Sequence, residues 1–307
     1  MAKVFLTGGS GFVGSWIARY LSKAGYDLTV LVRESSSLAH ISDLRFHKII
    51  GDLTYPKSYF DHQGFDYIVH AGARVRSVRS YDYYRTNLEG TRYLMRFAGK
   101  EKVKGVLFIS SLVAAGPPCL KRPVSHYGFS KYLAERVIKN SELPFTILRL
   151  PVVYGPGDRE GVRLFNLLKN NILFLPGHDI KLRLIFIRDL ARLVIDILRK
   201  DYFSRKVETV NDGRVYLLSD VLRIGAFLIN RRPITVSVPW PILILTSTLC
   251  DGIVKNHRLV SRDKMREFRY PDWTSDSTPF ISLDFRPEYD VEAGLRETLG
   301  VRSSHFT

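Results

Sequence analysis

Cysteine is scarce in this 307-residue sequence, which contains only Cys119 and Cys250. Two isolated thiols provide neither a disulfide framework nor the paired spacing of a zinc site. The eight histidines show no zinc-type cluster, so we predict no metal site. Internal repeats and low-complexity linkers are also missing. A chain of this length can bury one large core together with a smaller appended lobe.

Long hydrophobic runs are also missing. The most apolar stretch, residues 238–254, is interrupted by polar residues and is shorter than the ~20 residues that a membrane span needs. We favour a helix that lids a hydrophobic pocket there, and peripheral contact with a membrane surface is the alternative. The chain starts directly with a strand pattern, so we expect no signal peptide and a cytoplasmic location.

Acidic residues are too few to balance the basic ones, with 30 Asp and Glu against 46 Lys and Arg, a net charge of +16. Such an excess favours an anionic substrate or membrane surface, although a solvated basic face would explain most of these residues. One basic group comprises Arg258, Arg262, Lys264, Arg266 and Arg269. We find no nucleic-acid motif or aromatic ladder, so no nucleic-acid partner is predicted.

A glycine-rich segment, TGGSGFVG at residues 7–14, follows a short apolar strand pattern and precedes the apolar spacing of a helix. Gly8 would allow the tight turn, Gly11 the close approach of a pyrophosphate, and Gly14 close packing of helix on strand. Free N–H groups and the helix dipole would bind the anion. We therefore predict a dinucleotide site that also includes Ser10, Phe12 and Val13. An ordinary strand-to-helix turn is the alternative.

The second predicted strand, residues 27–33, ends in Arg33 rather than in the carboxylate that an NAD ribose prefers. Arginine suits a 2′-phosphate, and the serines at 35–37 add hydroxyl donors. We predict that NADP(H) is the preferred cofactor. NAD(H) remains the alternative, because Glu34 could reach the ribose if the strand ended one residue later.

Two further strand ends belong to the predicted cofactor site. Asp52, with Leu53 beside it, could accept from the adenine amino group or serve as a turn residue. The small residues Ala71, Gly72 and Ala73 follow another apolar strand and leave room for a cofactor at the sheet edge.

Tyr127 and Lys131 lie four residues apart on a predicted helix, so both side chains share one face. A neighbouring cation favours the phenolate, and bringing the phenol from pKa ~10 to about 7 requires roughly 4 kcal/mol. We expect Lys131 and the positive nicotinamide ring to supply this together. Tyr127 would then act as general acid and base. Ser111, at the end of another strand pattern, would orient the substrate oxygen, and Lys131 would hold the nicotinamide ribose. A surface helix with an ordinary Tyr and Lys is the alternative.

These motifs together resemble the extended short-chain dehydrogenase/reductases, the NAD-dependent epimerase/dehydratase superfamily. The matching segments, in order, are TGGSGFVG, GDLT, HAGA, TNLEGT, FISSLVAAGP, SHYGFSK, LRLPVVYGP and RDLARLV. The resemblance implies Ser111, Tyr127 and Lys131 as the catalytic set, and nicotinamide contacts at Pro151 and Val153. Relatives often form dimers through the helices around Asn87 and Tyr127, so a homodimer is one expectation.

Departures from the family pattern narrow the branch. Val152 stands where sugar-nucleotide epimerases usually carry Asn, and Leu112-Val113 replace the Asp-Glu pair of sugar dehydratases. The LRLPVVYGP segment instead resembles the branch of hydroxysteroid dehydrogenases and dihydroflavonol reductases, although Leu150 departs mildly from its usual Pro.

Strands alternate with helices as far as residue 200, which predicts an α/β fold. We expect a Rossmann-type doubly wound parallel sheet over residues 1–157 and 181–206. Residues 158–180 and 207–307 would form a smaller substrate-binding lobe. The candidate substrate contacts are Arg74, Arg76, His126 and Arg159.

The favoured function is an NADP(H)-dependent oxidoreductase that interconverts a carbonyl and a secondary alcohol on a hydrophobic small molecule that could carry negative charge. One alternative is an epimerase of the sugar-nucleotide type with tightly held cofactor. Another is a non-catalytic protein that senses NADP(H), although such proteins typically lack the Tyr/Lys pair.

Overall fold

A computed structural model describes residues 1–158, 161, 172–239, 262–274 and 282–301 of the chain. Its centre is a seven-stranded parallel sheet with strand order β11-β6-β5-β4-β1-β2-β3. These strands are β1 (Lys3–Thr7), β2 (Asp27–Val32), β3 (His47–Ile50), β4 (Tyr67–His70), β5 (Gly105–Ser111), β6 (Phe145–Leu150) and β11 (Val207–Thr209).

Helices cover both faces of this sheet. Their bounds are α1 (Phe12–Lys23), α2 (Ser80–Tyr83), a π-helical stretch (Tyr84–Glu89), α3 (Gly90–Glu101), α4 (His126–Lys139) and α5 (Ile187–Arg199). The C-terminal part adds α6 (Leu218–Leu228), α7 (Arg262–Phe268) and α8 (Val291–Leu299). Among the described residues, no helix combines the length and apolarity needed to cross a membrane.

Strand alternation explains the two cores. Side chains of successive strand residues point to opposite faces, so Val4 and Leu6 join one buried cluster and Phe5 joins the other. The first cluster lies under α1 and α5 and the second under α3 and α4. Because both faces are buried, the central strands are almost continuously apolar.

The order in which strands are added to the parallel sheet reverses between β1 and β4. From β1 the chain builds outward through β2 and β3, and from β4 it builds the other way through β5, β6 and β11. The glycine turn and residues 71–73 therefore meet at this switch point, where open α/β sheets bind ligands. The predicted doubly wound architecture is confirmed.

Short strand pairs surround the main sheet. β7 (Val152–Tyr154) pairs with β10 (Leu184–Phe186), β9 (Lys181–Leu182) with β12 (Tyr216–Leu217), and β8 (Ile172–Pro176) with β13 (Ile234–Val238). Two details differ from the predicted division of the chain. β11 pairs with β6 in the main sheet, although residues 207 onward were predicted to belong to the lobe. Residues 181–206 were predicted to return to the domain of the main sheet. The strands at 181–186 pair outside that sheet, and α5 alone returns to it, where it packs beside α1.

Candidate functional site

The glycine turn forms a tight cradle between β1 and α1. Gly8 has φ +77°, and a Cβ there would lie 2.6 Å from the backbone of Ala71. A Cβ on Gly14 would lie 2.1 Å from the Gly8 carbonyl oxygen, so only glycine allows this approach of helix to strand. Gly11 precedes α1 and donates its N–H to the Gly8 oxygen at 2.9 Å. These contacts fit a cradle for a dinucleotide pyrophosphate.

A buried hydrogen-bond chain supports the cradle from behind. Thr91 donates to the Asn87 carbonyl, so its hydroxyl oxygen must accept from Nε2 of His70 at 2.9 Å. Nδ1 of His70 then accepts from Thr7 at 2.7 Å, and Thr7 accepts from the Gly72 N–H at 3.1 Å. Burial, with the charge of Lys131, lowers the pKa of His70 to about 3. The neutral imidazole therefore ties β1 and β4 together at the switch point.

A cleft of about 410 Å³ opens above this chain. Its lining includes the predicted cofactor residues Gly8, Ser10, Gly11, Arg33, Asp52, Leu53, Ala71, Gly72 and Ala73. Seven other predicted cofactor residues lie outside the lining that the described residues form: Phe12, Val13, Gly14, Tyr127, Lys131, Pro151 and Val153. Phe12 instead borders a second cavity, of about 370 Å³, beside Trp16.

The predicted selectors of the cofactor differ in position. Arg33 and Ser36 line the cleft, whereas Glu34 is exposed and is not part of its lining. Asp52 also lines the cleft, and one of its carboxylate oxygens accepts from both the N–H and the hydroxyl of Thr54 at 2.7 Å. Asp52 is therefore a turn residue that also faces the cleft.

Arginines surround the mouth of the cleft. Arg74 and Arg76, which the sequence singled out, line it together with Arg85, which was not predicted. Asn87 holds the backbone of Arg74 through two hydrogen bonds, of 2.7 Å and 3.1 Å, and also donates to Ser130 at 2.8 Å. Ser130 in turn donates to the Tyr127 carbonyl at 2.7 Å. The cleft wall is thereby tied to the helix that carries Tyr127.

The structure brings Ser111 and Tyr127 together. Desolvation and the negative charge of Glu267 raise the pKa of Tyr127, and a hydrogen bond with Ser111 opposes this rise. The ring of Tyr83 packs 6.2 Å from that of Tyr127. The described residues alone thus raise the pKa of the phenol, and the lowering expected from Lys131 together with the positive nicotinamide ring stays a prediction for the cofactor-bound protein.

Lys131 is buried and points toward β5. Its ammonium group donates to the Ile109 carbonyl at 2.7 Å and lies 3.9 Å from the centre of the Phe108 ring. Burial lowers the pKa of Lys131 to about 7, and the charge of Glu135 opposes this shift. Tyr127 and Lys131 share one face of α4, as the spacing predicts. The Lys131 side chain, however, directs its ammonium group to β5.

A buried ion pair that the sequence did not reveal lies one turn beyond Lys131. Glu135 accepts from Arg149 through both oxygens, at 2.9 Å and 2.6 Å, and from Ser110 at 2.6 Å. Its side chain is 1% exposed and that of Arg149 is 20% exposed. This network fixes α4 against the ends of β5 and β6.

Two acidic residues of α7 reach the first turn of α4. Asp263 accepts from the N–H groups of His126 and Tyr127, and Glu267 accepts from the Ser125 hydroxyl. Only the basic residues of this segment stand out in the sequence, and two of them, Lys264 and Arg266, pair with these same carboxylates. The i, i+4 spacing of two acids within a basic run was the available signal.

The remaining predicted contacts have mixed outcomes. His126 is half-buried, and its Nδ1 lies 3.0 Å from the Tyr84 hydroxyl. Arg159, Arg258 and most of the predicted lid or membrane-surface helix at 238–254 fall outside the described residues.

A family model described as the NAD dependent epimerase/dehydratase family matches residues 4–213. Ceramide reductase of Caulobacter vibrioides is 26% identical to this chain, covering 90% of it and 87% of that protein. The decarboxylating sterol-4-alpha-carboxylate 3-dehydrogenase erg26 of Schizosaccharomyces pombe is 24% identical, with 95% of each chain covered.

Among solved structures, UDP-glucuronic acid 4-epimerase of Bacillus cereus, in complex with a fluorinated UDP-sugar and NAD, has a similar fold. Its TM-score is 0.75 at 20% identity, with 97% of this chain and 98% of that chain covered. At this identity the likeness establishes the fold alone.

Proposed function

The chain belongs to the NAD dependent epimerase/dehydratase family and is an enzyme of the oxidoreductase type, and from this premise we propose its reaction. It interconverts a carbonyl and a secondary alcohol on a hydrophobic small molecule, with NADP(H) as cofactor. The observation that carries the proposal is the Ser111–Tyr127 pair, which is tied through Asn87 to the wall of the dinucleotide cleft.

Tyr127 is the candidate proton donor in the reductive direction. Its phenol is protonated at neutral pH, as an ordinary tyrosine is, and desolvation and the charge of Glu267 raise its pKa further. Bound NADPH would supply the hydride to the substrate carbon. Tyr127 donates its proton to the substrate oxygen, which Ser111 orients by hydrogen bonding. Ketone, NADPH and one proton thereby become alcohol and NADP⁺.

The choice of NADP(H) rests on the end of β2. Arg33 and Ser36 line the cleft there, and a guanidinium with a hydroxyl suits a 2′-phosphate. We expect Arg33→Ala to weaken NADPH binding by about 10- to 100-fold, the loss of a charge-assisted hydrogen bond of ~1.5–3 kcal/mol. NADH binding should hardly change.

Fluorescence titration of both nucleotides tests this choice. Arg45→Ala is the matched control, because Arg45 is exposed and lies outside the cleft lining. Equal or tighter binding of NADH by the native protein would overturn the NADP(H) assignment. Mass spectrometry of co-purified nucleotide separates the epimerase alternative, which requires a stoichiometric, non-exchangeable NAD.

A hydrophobic substrate is supported by two observations. Val152 is 50% exposed at the position where sugar-nucleotide epimerases carry an amide. The reductase and dehydrogenase named above take a ceramide and a sterol, both lipids, according to their names. A panel of long-chain and polycyclic ketones is therefore the first substrate screen, and the arginines at the cleft mouth recommend members with an acidic group.

A further inference from the structure

The first turn of α4 is capped from outside the helix. The first N–H groups of any α-helix lack intrahelical acceptors. Here those of His126 and Tyr127 donate to the two carboxylate oxygens of Asp263, at 2.7 Å and 2.8 Å. Asp263 is buried, with 8% of the residue exposed. The backbone of Tyr127 is thus held directly by a residue 136 positions later in the chain.

Glu267 completes the same contact one turn further along α7. Residues four apart share a helix face, and Glu267 accepts from the Ser125 hydroxyl at 2.7 Å. Ser125 is itself the N-cap of α4 and accepts from the Gly128 N–H at 2.9 Å. Glu267 is 4% exposed, and Lys264 pairs with its other oxygen at 2.6 Å.

We propose that Asp263 and Glu267 are positioning residues for Tyr127: Asp263 holds the first turn of α4 in place, and Glu267 sets a negative charge beside the phenol. The proposal rests on the proposed role of Tyr127 as proton donor. The C-terminal part of the chain thereby sets the geometry of the proton donor and the charge beside it.

The effect of the Glu267 charge on the pKa of Tyr127 depends on the other groups that surround the phenol. Glu267 faces Tyr127 from α7, Tyr83 from α2 and Ser111 from β5, whereas Lys131 on the same helix directs its ammonium to the Ile109 carbonyl. The Glu267 charge favours the neutral phenol. The pKa of Tyr83 is likewise raised, mainly by burial, with contributions from both α7 carboxylates.

The test of Glu267 needs no substrate. Glu267→Gln keeps an acceptor oxygen for Ser125 but removes the charge. The pKa of Tyr127 is followed by NMR of protein carrying ¹³C-labelled tyrosine, with Tyr127→Phe to assign the signal. We expect this pKa to fall in Glu267→Gln and to stay at the native value in Glu292→Gln, which neutralises an exposed carboxylate on α8. An unchanged Tyr127 pKa in Glu267→Gln would overturn the electrostatic role.

The test of Asp263 is amide exchange. In Asp263→Asn the N–H groups of residues 126 and 127 should exchange about 10- to 100-fold faster, because a charge-assisted acceptor is lost. Asp290→Asn is the matched control, since Asp290 caps α8 by accepting from the Ala293 N–H at 2.8 Å. Unchanged exchange at 126 and 127, or the same acceleration in the control, would contradict the role of Asp263.

The role of Tyr127 as proton donor and the roles of Asp263 and Glu267 as positioning residues are tested by different measurements. Full turnover by Tyr127→Phe would refute the role of Tyr127 as proton donor. The titration of Glu267→Gln and the amide exchange of Asp263→Asn would still report on the positioning residues. Should Asp263→Asn not fold, the titration of Glu267→Gln, which retains the hydrogen bond, still decides the proposal.

Discussion

Replacing Gly14 by alanine tests the dinucleotide cradle most sharply. The added Cβ would lie 2.1 Å from the Gly8 oxygen and 2.6 Å from its carbonyl carbon, whereas ordinary contact begins at 3.4 Å. Both obstacles are backbone, so the turn or the start of α1 must move by more than an ångström. The N–H groups that would hold the pyrophosphate move with them.

Overpacking of this kind costs about 1–3 kcal/mol of stability. We expect NADPH binding to weaken by at least about tenfold, because each 1.4 kcal/mol lost from the interaction corresponds to a factor of ten. Urea unfolding and NADPH titration measure the two effects. The matched control is Gly99→Ala on α3, where nothing lies within 4 Å of the new Cβ, and where alanine should stabilise the helix by about 0.5–1 kcal/mol. If Gly14→Ala unfolds at the same urea concentration and binds NADPH as tightly as the native protein, the predicted clash with the Gly8 backbone is refuted.

Two further predictions concern the buried charges of α4. Glu135→Gln leaves Arg149 without its carboxylate and should cost about 3 kcal/mol in urea unfolding, against ~0–1 kcal/mol for the exposed Glu292→Gln; equal losses would contradict the buried pair. Lys131 has a pKa of about 7 against an ordinary 10.5, so the unfolded chain binds its proton more tightly and burial penalises folding below pH 7. Lys131→Met should therefore stabilise the protein at or below pH 7, and this gain should shrink as the pH rises toward 10.5; a pH-independent difference would count against the shift.

The glycine turn and much of the cleft lining could be predicted, because their determinants are local in sequence. The order of strand, glycine turn and helix at residues 3–23 specifies the cradle, and Arg33 follows directly from where β2 ends. The alternation of strands with helices along the sequence likewise predicts the parallel sheet. The hydrogen bonds that support the glycine turn could not be predicted. They run from Gly72 through His70 to Thr91 and depend on the register of β1 with β4.

The surroundings of Tyr127 were harder to predict, for physical reasons. Helical spacing places Tyr127 and Lys131 on one face, but it does not determine where a four-carbon stem directs its ammonium group. The buried strand carbonyl of Ile109 decides that. Asp263 acts on Tyr127 across 136 residues, and no local pattern links them. The upward shift of the phenol pKa comes first from desolvation and then from the charge of its partner Glu267, and neither could be predicted from the local sequence.

The most direct test of the central claim is Tyr127→Phe, assayed for NADPH oxidation with a ketone that the native enzyme reduces, alongside NADPH titration. The phenylalanine keeps the ring but cannot donate a proton. We predict that turnover falls by about 10²- to 10⁴-fold, the usual contribution of a general acid, while NADPH affinity is unchanged. Turnover that survives the substitution would contradict Tyr127 as the proton donor.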